Sequence, residues 1–237
     1  MNDLLSEIRA EFARLADPDA AEKAQRFFKD EPVQLHGIAA PELKRIARDF
    51  YPRIKKLPVP DRDRLCTDLW ASRKHEEGAV VCYVYRRFAK SFGAREFALF
   101  TRWLDRYVDN WAGTDGLALW LLGDSIANDA SLIDKLDGWT TSKNRWKRRA
   151  AAVALVYSAK RGEHTKAIFR IARPLIEDED DMVQKGVGWL LKETYPKRPA
   201  ETVRFLVANG GKTTRLVLRY AAEKMTAEDK GRVLGRE

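Results

Sequence analysis

The chain has 237 residues, 45% of them hydrophobic, enough to build a sizeable core without disulfide or metal staples. It has two cysteines, Cys66 and Cys82, and no apolar run near the roughly 18 residues of a membrane span. These features exclude a disulfide framework and a membrane helix and lead us to expect a soluble, cytoplasmic protein. A formal charge of +9 with pI near 9.5 implies a polyanionic partner.

Helical periodicity begins at once. Leu4, Leu5, Ile8, Phe12 and Leu15 recur at three- and four-residue steps and form one apolar stripe. The acids among them argue for a mature helix rather than a targeting peptide. Asp17-Pro18 stops this helix and starts a second, expected to run to about Lys29. Further helices are expected at 41–50, 61–72, 75–89, 94–107, 115–127, 131–136, 144–159, 165–172, 181–194, 199–208, 213–224 and 226–233. Breakers stand at Glu31-Pro32, Pro58-Val59-Pro60, Gly162, Pro196 and Gly210-Gly211. No alternating β-branched run suggests a sheet. Short helices in pairs of about 35–45 residues imply an all-α fold, a right-handed α-α superhelix (solenoid) of HEAT- or armadillo-like helical repeats. One domain over 1–237 is expected, with a compact bundle as the alternative architecture.

The charge is unevenly spread. Between Ser142 and Arg173 stand ten basic residues and a single acid, Glu163, a surplus equal to the net charge of the whole chain. Aromatic and apolar helix positions interrupt the run, which favours a nucleic-acid surface over a merely solvated face. Cys66, Cys82, His36, His75 and His164 show no metal-ligand spacing, and no Gly-rich loop follows a strand. We therefore expect no metal and no cofactor; any chemistry would rest on carboxylates, aromatics and guanidinium groups.

Three segments could carry it. In Asn110-Trp111-Ala112-Gly113-Thr114-Asp115, a helix starting near Trp111 puts Trp111 and Asp115 on one face. Asp115 or Thr114 could also cap the following helix, and taken alone Asp115 reads first as a cap. In Trp146-Lys147-Arg148-Arg149-Ala150, the two arginines project differently, at least one of them expected to meet solvent or phosphate, with a structural salt bridge as the alternative. In Gln184-Lys185-Gly186-Val187-Gly188-Trp189, each helical glycine costs about 1 kcal/mol relative to alanine, so another helix or a ligand backbone should come close.

Together these segments, with His36-Gly37-Ile38, Pro41-Glu42, Leu69-Trp70 and His75-Glu76-Glu77, carry a resemblance through most of the chain. The chain resembles the DNA alkylation repair glycosylases of the AlkD type, built from HEAT-like repeats. The resemblance implies a metal-free DNA glycosylase that opens base excision repair by releasing cationic alkylated purines, such as 3-methyladenine and 7-methylguanine, from double-stranded DNA. A monomer is expected because duplex DNA must reach the groove. It implies Asp115 as the catalytic carboxylate, with Trp111 and Trp189 flanking the lesion's deoxyribose. Arg149 is expected to hold a phosphate, and Arg148, Lys147, Lys185, Lys212 and Phe27 complete the expected DNA contacts. Phe27 stands where the family leads one to expect tyrosine, and Tyr157 where a lysine is usual. A non-catalytic DNA-structure binder on the same scaffold is the second reading, and a HEAT-like module for an acidic protein partner the third.

Overall fold

The computed structural model describes residues 2–28 and 31–235 and is all-α: among these residues no strand forms, only an isolated bridge between Gln34 and Lys74. The chain divides into two compact units, Met1–Ser91 with Ala98–Leu117, and Phe92–Phe97 with Ala118–Glu237. In chain order the helices are α1 (Asn2–Leu15), α2 (Pro18–Gln25), α3 (Ala40–Ile54), α4 (Val59–Ala71), α5 (His75–Tyr85), α6 (Ala94–Tyr107), α7 (Trp111–Gly116) and α8 (Gly123–Asn128). They continue as α9 (Arg145–Val153), α10 (Val156–Arg161), α11 (Thr165–Leu175), α12 (Asp181–Thr194), α13 (Pro199–Asn209), α14 (Arg215–Ala221) and α15 (Ala227–Leu234).

The first unit is built on the stripe read from the sequence: Ile8 and Phe12 are fully buried on α1. Asp17 caps α2, its carboxylate accepting from the Ala20 amide at 3.0 Å. The expected end of this helix at Lys29 lies outside the described residues; α2 proper stops at Gln25 and a 3₁₀ turn, Arg26–Phe28, follows. Behind it, α3 and α4 both pack on α5. Trp103 of α6 is buried at 1% exposure in an aromatic cluster, edge-on to Tyr85 at 5.1 Å and tilted against Phe100 at 5.5 Å. Cys66 and Cys82 are both buried free thiols, and burial raises both above the ordinary thiol range, Cys82 to about 12.

Two motif fragments far apart in sequence meet in this unit. Gly37 has φ +79°, and a Cβ there would lie 2.0 Å from the carbonyl oxygen of Asp17, so only glycine fits. The turn this permits aims the amides of His36 and Gly37 at one oxygen of buried Glu76, at 3.0 and 2.8 Å. Glu77, next along α5, accepts from or pairs with the His36 ring at 3.1 Å. His36-Gly37-Ile38 and His75-Glu76-Glu77 thus fasten the loop before α3 to the start of α5.

In the second unit α12 packs on α9, α10, α11 and α14. Contacts of a helix with its neighbour and with the next but one are the pattern of stacked helical pairs. The expected helix 144–159 is broken near Leu155 into α9 and α10, and Gly162, left-handed at φ +75°, ends α10 where the sequence placed a breaker. Gly186 and Gly188 explain themselves here. A Cβ on Gly188 would stand 2.5 Å from Tyr220 Cβ and 3.3 Å from the Val217 carbonyl oxygen; one on Gly186 would stand 3.1 Å from Arg149 Cγ. Another helix does come close on each side, α9 at the first glycine and α14 at the second.

Gly188→Ala should therefore destabilise the fold by about 1–2 kcal/mol in urea unfolding, the overpacking cost exceeding the gain in helix propensity. An unchanged or raised midpoint would refute the close approach of α14.

Candidate nucleic-acid interface

The residues expected to act on DNA fall in both units, Trp111 and Asp115 in the first, Arg149, Lys185 and Trp189 in the second. In the first unit α7 starts at Trp111, and its cap is neither Thr114 nor Asp115 but Asn110. The Asn110 carboxamide oxygen accepts from the Gly113 amide at 2.8 Å, and the Thr114 hydroxyl donates back to the Asn110 carbonyl at 2.8 Å. Asp115 therefore sits inside the helix, partly exposed, one turn after the half-buried Trp111. A π-helical segment, Leu117–Leu122, follows directly; such wide turns recur beside functional sites.

Trp111 is braced from behind. Its ring lies 5.8 Å from that of buried Phe28, which in turn meets His75 edge-on at 5.7 Å. Phe27, the next residue back on the same 3₁₀ turn, is 77% exposed. The two adjacent phenylalanines are thus divided, one supporting Trp111 and one presented to solvent. His75 is enclosed, its Nδ1 without a hydrogen-bond partner among the described residues, and burial lowers its pKa below the ordinary imidazole value despite Glu76 and Asp109 nearby.

In the second unit α9 is capped by Asn144, whose side chain accepts from the Trp146 amide at 2.9 Å. Lys147 lies 5.3 Å over the Trp139 ring. Arg148 forms a forked pair with Asp178, at 2.6 and 3.2 Å, and donates to the Ser142 carbonyl at 2.8 Å. The pair raises its pKa further and uses its fork internally. Arg149 is 6% exposed, folded beneath α12 against Gly186 and donating to the Met182 carbonyl. Of the two arginines, then, Arg148 takes the structural salt bridge. On α12, Lys185 pairs with Asp181 at 2.7 Å and Trp189 is half-buried. Lys212 is exposed, 3.6 Å from Glu177.

Space also changes the reading of the basic run. Arg145 meets Asp180 at 2.8 Å, Arg148 meets Asp178, and Arg170 meets Asp134 and Asp137 at 2.7 and 3.2 Å. These four acids lie just outside 142–173, so the surplus counted along the chain is partly neutralised across helices. Sequence reasoning missed them because pairing follows helix packing. It also missed Asn110, although asparagine directly before the first helical residue is a favoured cap. The role of Gln184 is also one that only packing shows: its amide donates to the Asp178 carbonyl at 2.7 Å and its oxygen accepts from Thr214 at 2.8 Å, tying α12 to the cap of α14.

Among the described residues no group of three or more His, Cys, Asp or Glu could hold a metal ion, and no helix is long and apolar enough to cross a membrane. A family model described as DNA alkylation repair enzyme matches residues 8–225. No curated protein sequence matches the chain. Among solved structures, a predicted DNA alkylation repair enzyme from Enterococcus faecalis superposes with a TM-score of 0.75 at 18% identity. The match covers 90% of this chain and 97% of that one.

Two outcomes test the support of α7. Asn110→Ala should lower stability by about 1 kcal/mol in urea unfolding through loss of the cap. His75, neutral in the fold, gains a proton on unfolding below its ordinary value of about 6.5. Its contribution to stability is therefore complete above that pH and lost as pH falls through it. Melting temperatures followed from about pH 8 to pH 5.5 should drop less steeply for His75→Gln than for wild type; parallel curves would refute the assignment.

Proposed function

The chain belongs to the DNA alkylation repair enzyme family, and on that footing we propose that it hydrolyses the N-glycosidic bond of cationic alkylated purines in duplex DNA. One observation carries the reading: Asp115 lies partly exposed, one turn after Trp111, in a helix whose capping is done by Asn110. A carboxylate on a helix flank beside an indole is suited to a developing cation.

An alkylated purine already bears positive charge. When the C1′–N bond breaks, the bonding pair moves to the base, which departs neutral without needing a proton from the enzyme. The deoxyribose is left with oxocarbenium character, as in glycoside hydrolysis. Asp115 stabilises that cation and orients a water molecule, whose oxygen bonds to C1′ while its proton passes to the carboxylate and on to solvent, leaving an abasic site. Trp111, braced by Phe28, supplies an indole face to the sugar. Lys147, Lys185 and Lys212 make phosphate contacts, while Arg149, buried and donating to the Met182 carbonyl, holds the helix that carries Lys185. The Lys185 pair with exposed Asp181 and the looser Lys212–Glu177 pair are the weak, solvent-screened kind that a phosphate can displace. Exposed Phe27 gives an apolar contact where the family's tyrosine would add a hydroxyl. DNA affinity should fall steeply with salt, as expected for binding through phosphates.

The test is release of methylated base from alkylated duplex, read by chromatography. Wild type should release it, and Asp115→Asn should slow release by roughly 100-fold or more with little change in duplex affinity. Wild type that binds duplex yet releases nothing would overturn the catalytic reading in favour of a DNA-structure binder; no duplex binding at low salt would overturn both.

A further inference from the structure

Helices α4 and α6 carry none of the residues assigned to DNA above, yet they enclose a pocket of about 210 Å³ with an arginine rim. Arg64 of α4 and Arg102 and Arg106 of α6 line it, and all three are exposed. Among the described residues none of the three has a carboxylate at ion-pair distance. Acids stand three or four positions away here, Asp61 and Asp68 from Arg64, Asp105 from Arg102 and Asp109 from Arg106. Unlike Arg14–Glu11, Arg45–Glu42, Arg45–Asp49 and Arg232–Asp229, they form no ion pairs with these arginines, and Asp109 turns to Arg73 at 3.7 Å. Arg102 and Arg106 are also like charges one helical turn apart, a spacing that repels.

The floor is rigid and offers little else. Trp103 is 1% exposed, its indole donates to the Thr67 hydroxyl at 2.8 Å, and Thr67 donates to the Asp63 carbonyl at 2.7 Å. The one carboxylate of the lining, Asp63, accepts from the buried Tyr85 hydroxyl. The Trp103 ring is thus packed away from any base, and recognition falls to three guanidinium groups, whose planar forks match the oxygens of phosphate. We propose that this pocket binds a phosphate group, as a second anion site made by residues other than those of the candidate interface. The inference does not depend on base release and would stand on a non-catalytic relative.

Isothermal titration of the full chain with pyrophosphate, and separately with unmodified duplex over a salt series, tests it. Pyrophosphate should saturate one site on wild type, and Arg102→Gln/Arg106→Gln should weaken it about tenfold or more, with a smaller loss for Arg64→Gln. In phosphate-free buffer the double variant should melt no lower than wild type, since a repulsion has been removed. If its duplex affinity and salt slope match wild type, the ligand is a free phosphate compound. If the slope falls by about two, the phosphate belongs to the DNA backbone. Pyrophosphate affinity that ignores all three substitutions, or no pyrophosphate binding together with unaltered duplex binding in the double variant, overturns the proposal. Base release by wild type is measured independently, so a failure here is distinct from a failure of the glycosylase reading.

Discussion

In the second unit the close approach of three helices sets everything else. At Gly186 and Gly188 of α12 there is no room for a methyl group without displacing the Arg149 stem on one side or the α14 backbone on the other. Protein interiors are packed densely enough that such an approach fixes where neighbouring side chains emerge. Arg149 is pinned under α12, Trp189 leaves the same helix one residue after the second glycine, and Gln184 locks the start of the helix to Asp178 and Thr214. The propensity lost at two glycines is offset by that placement, so stability and candidate site draw on the same contact.

Electrostatics follow from the same packing. A run of ten basic residues suggests a surface that binds polyanions wherever it is touched, but Asp134, Asp137, Asp178 and Asp180 are brought against it. Buried or forked pairs such as Arg148–Asp178 serve architecture, since removing one partner would strand the other. Positive potential is left at separate points, among them exposed Lys143 and Lys166 and the arginines of the α4–α6 pocket. A surface of this kind discriminates by position more than by total charge.

The helical fold was legible in the sequence because apolar stripes at three- and four-residue steps survive packing, and because Pro and Gly end helices for local reasons. What was not legible is where winding departs from α. The expected helix 115–127 begins at Trp111 and widens into a π turn, 131–136 is a 3₁₀ stretch, and 75–89 becomes α only to Tyr85. These differences are decided by neighbours, which periodicity does not encode. The site was legible to the same degree. Trp111, Asp115 and the two glycines stood out by residue type, while the salt bridge of Arg148 and the phenylalanine brace of Trp111 required contacts spanning tens of residues. His36-Gly37-Ile38 and His75-Glu76-Glu77, which carry part of the family resemblance, are joined by two buried carboxylates, Glu76 and Glu77, and serve construction.

The two cysteines have a bearing on the surroundings in which such a family works. Methylating electrophiles attack sulfur as well as nitrogen, and the thiolate is the form they consume. Cys66 and Cys82 are 1% and 2% exposed, and burial holds both as neutral thiols well above physiological pH. A reagent that damages the genome therefore meets no cysteine anion on the folded chain, and self-inactivation by that route waits for α4 and α5 to come apart.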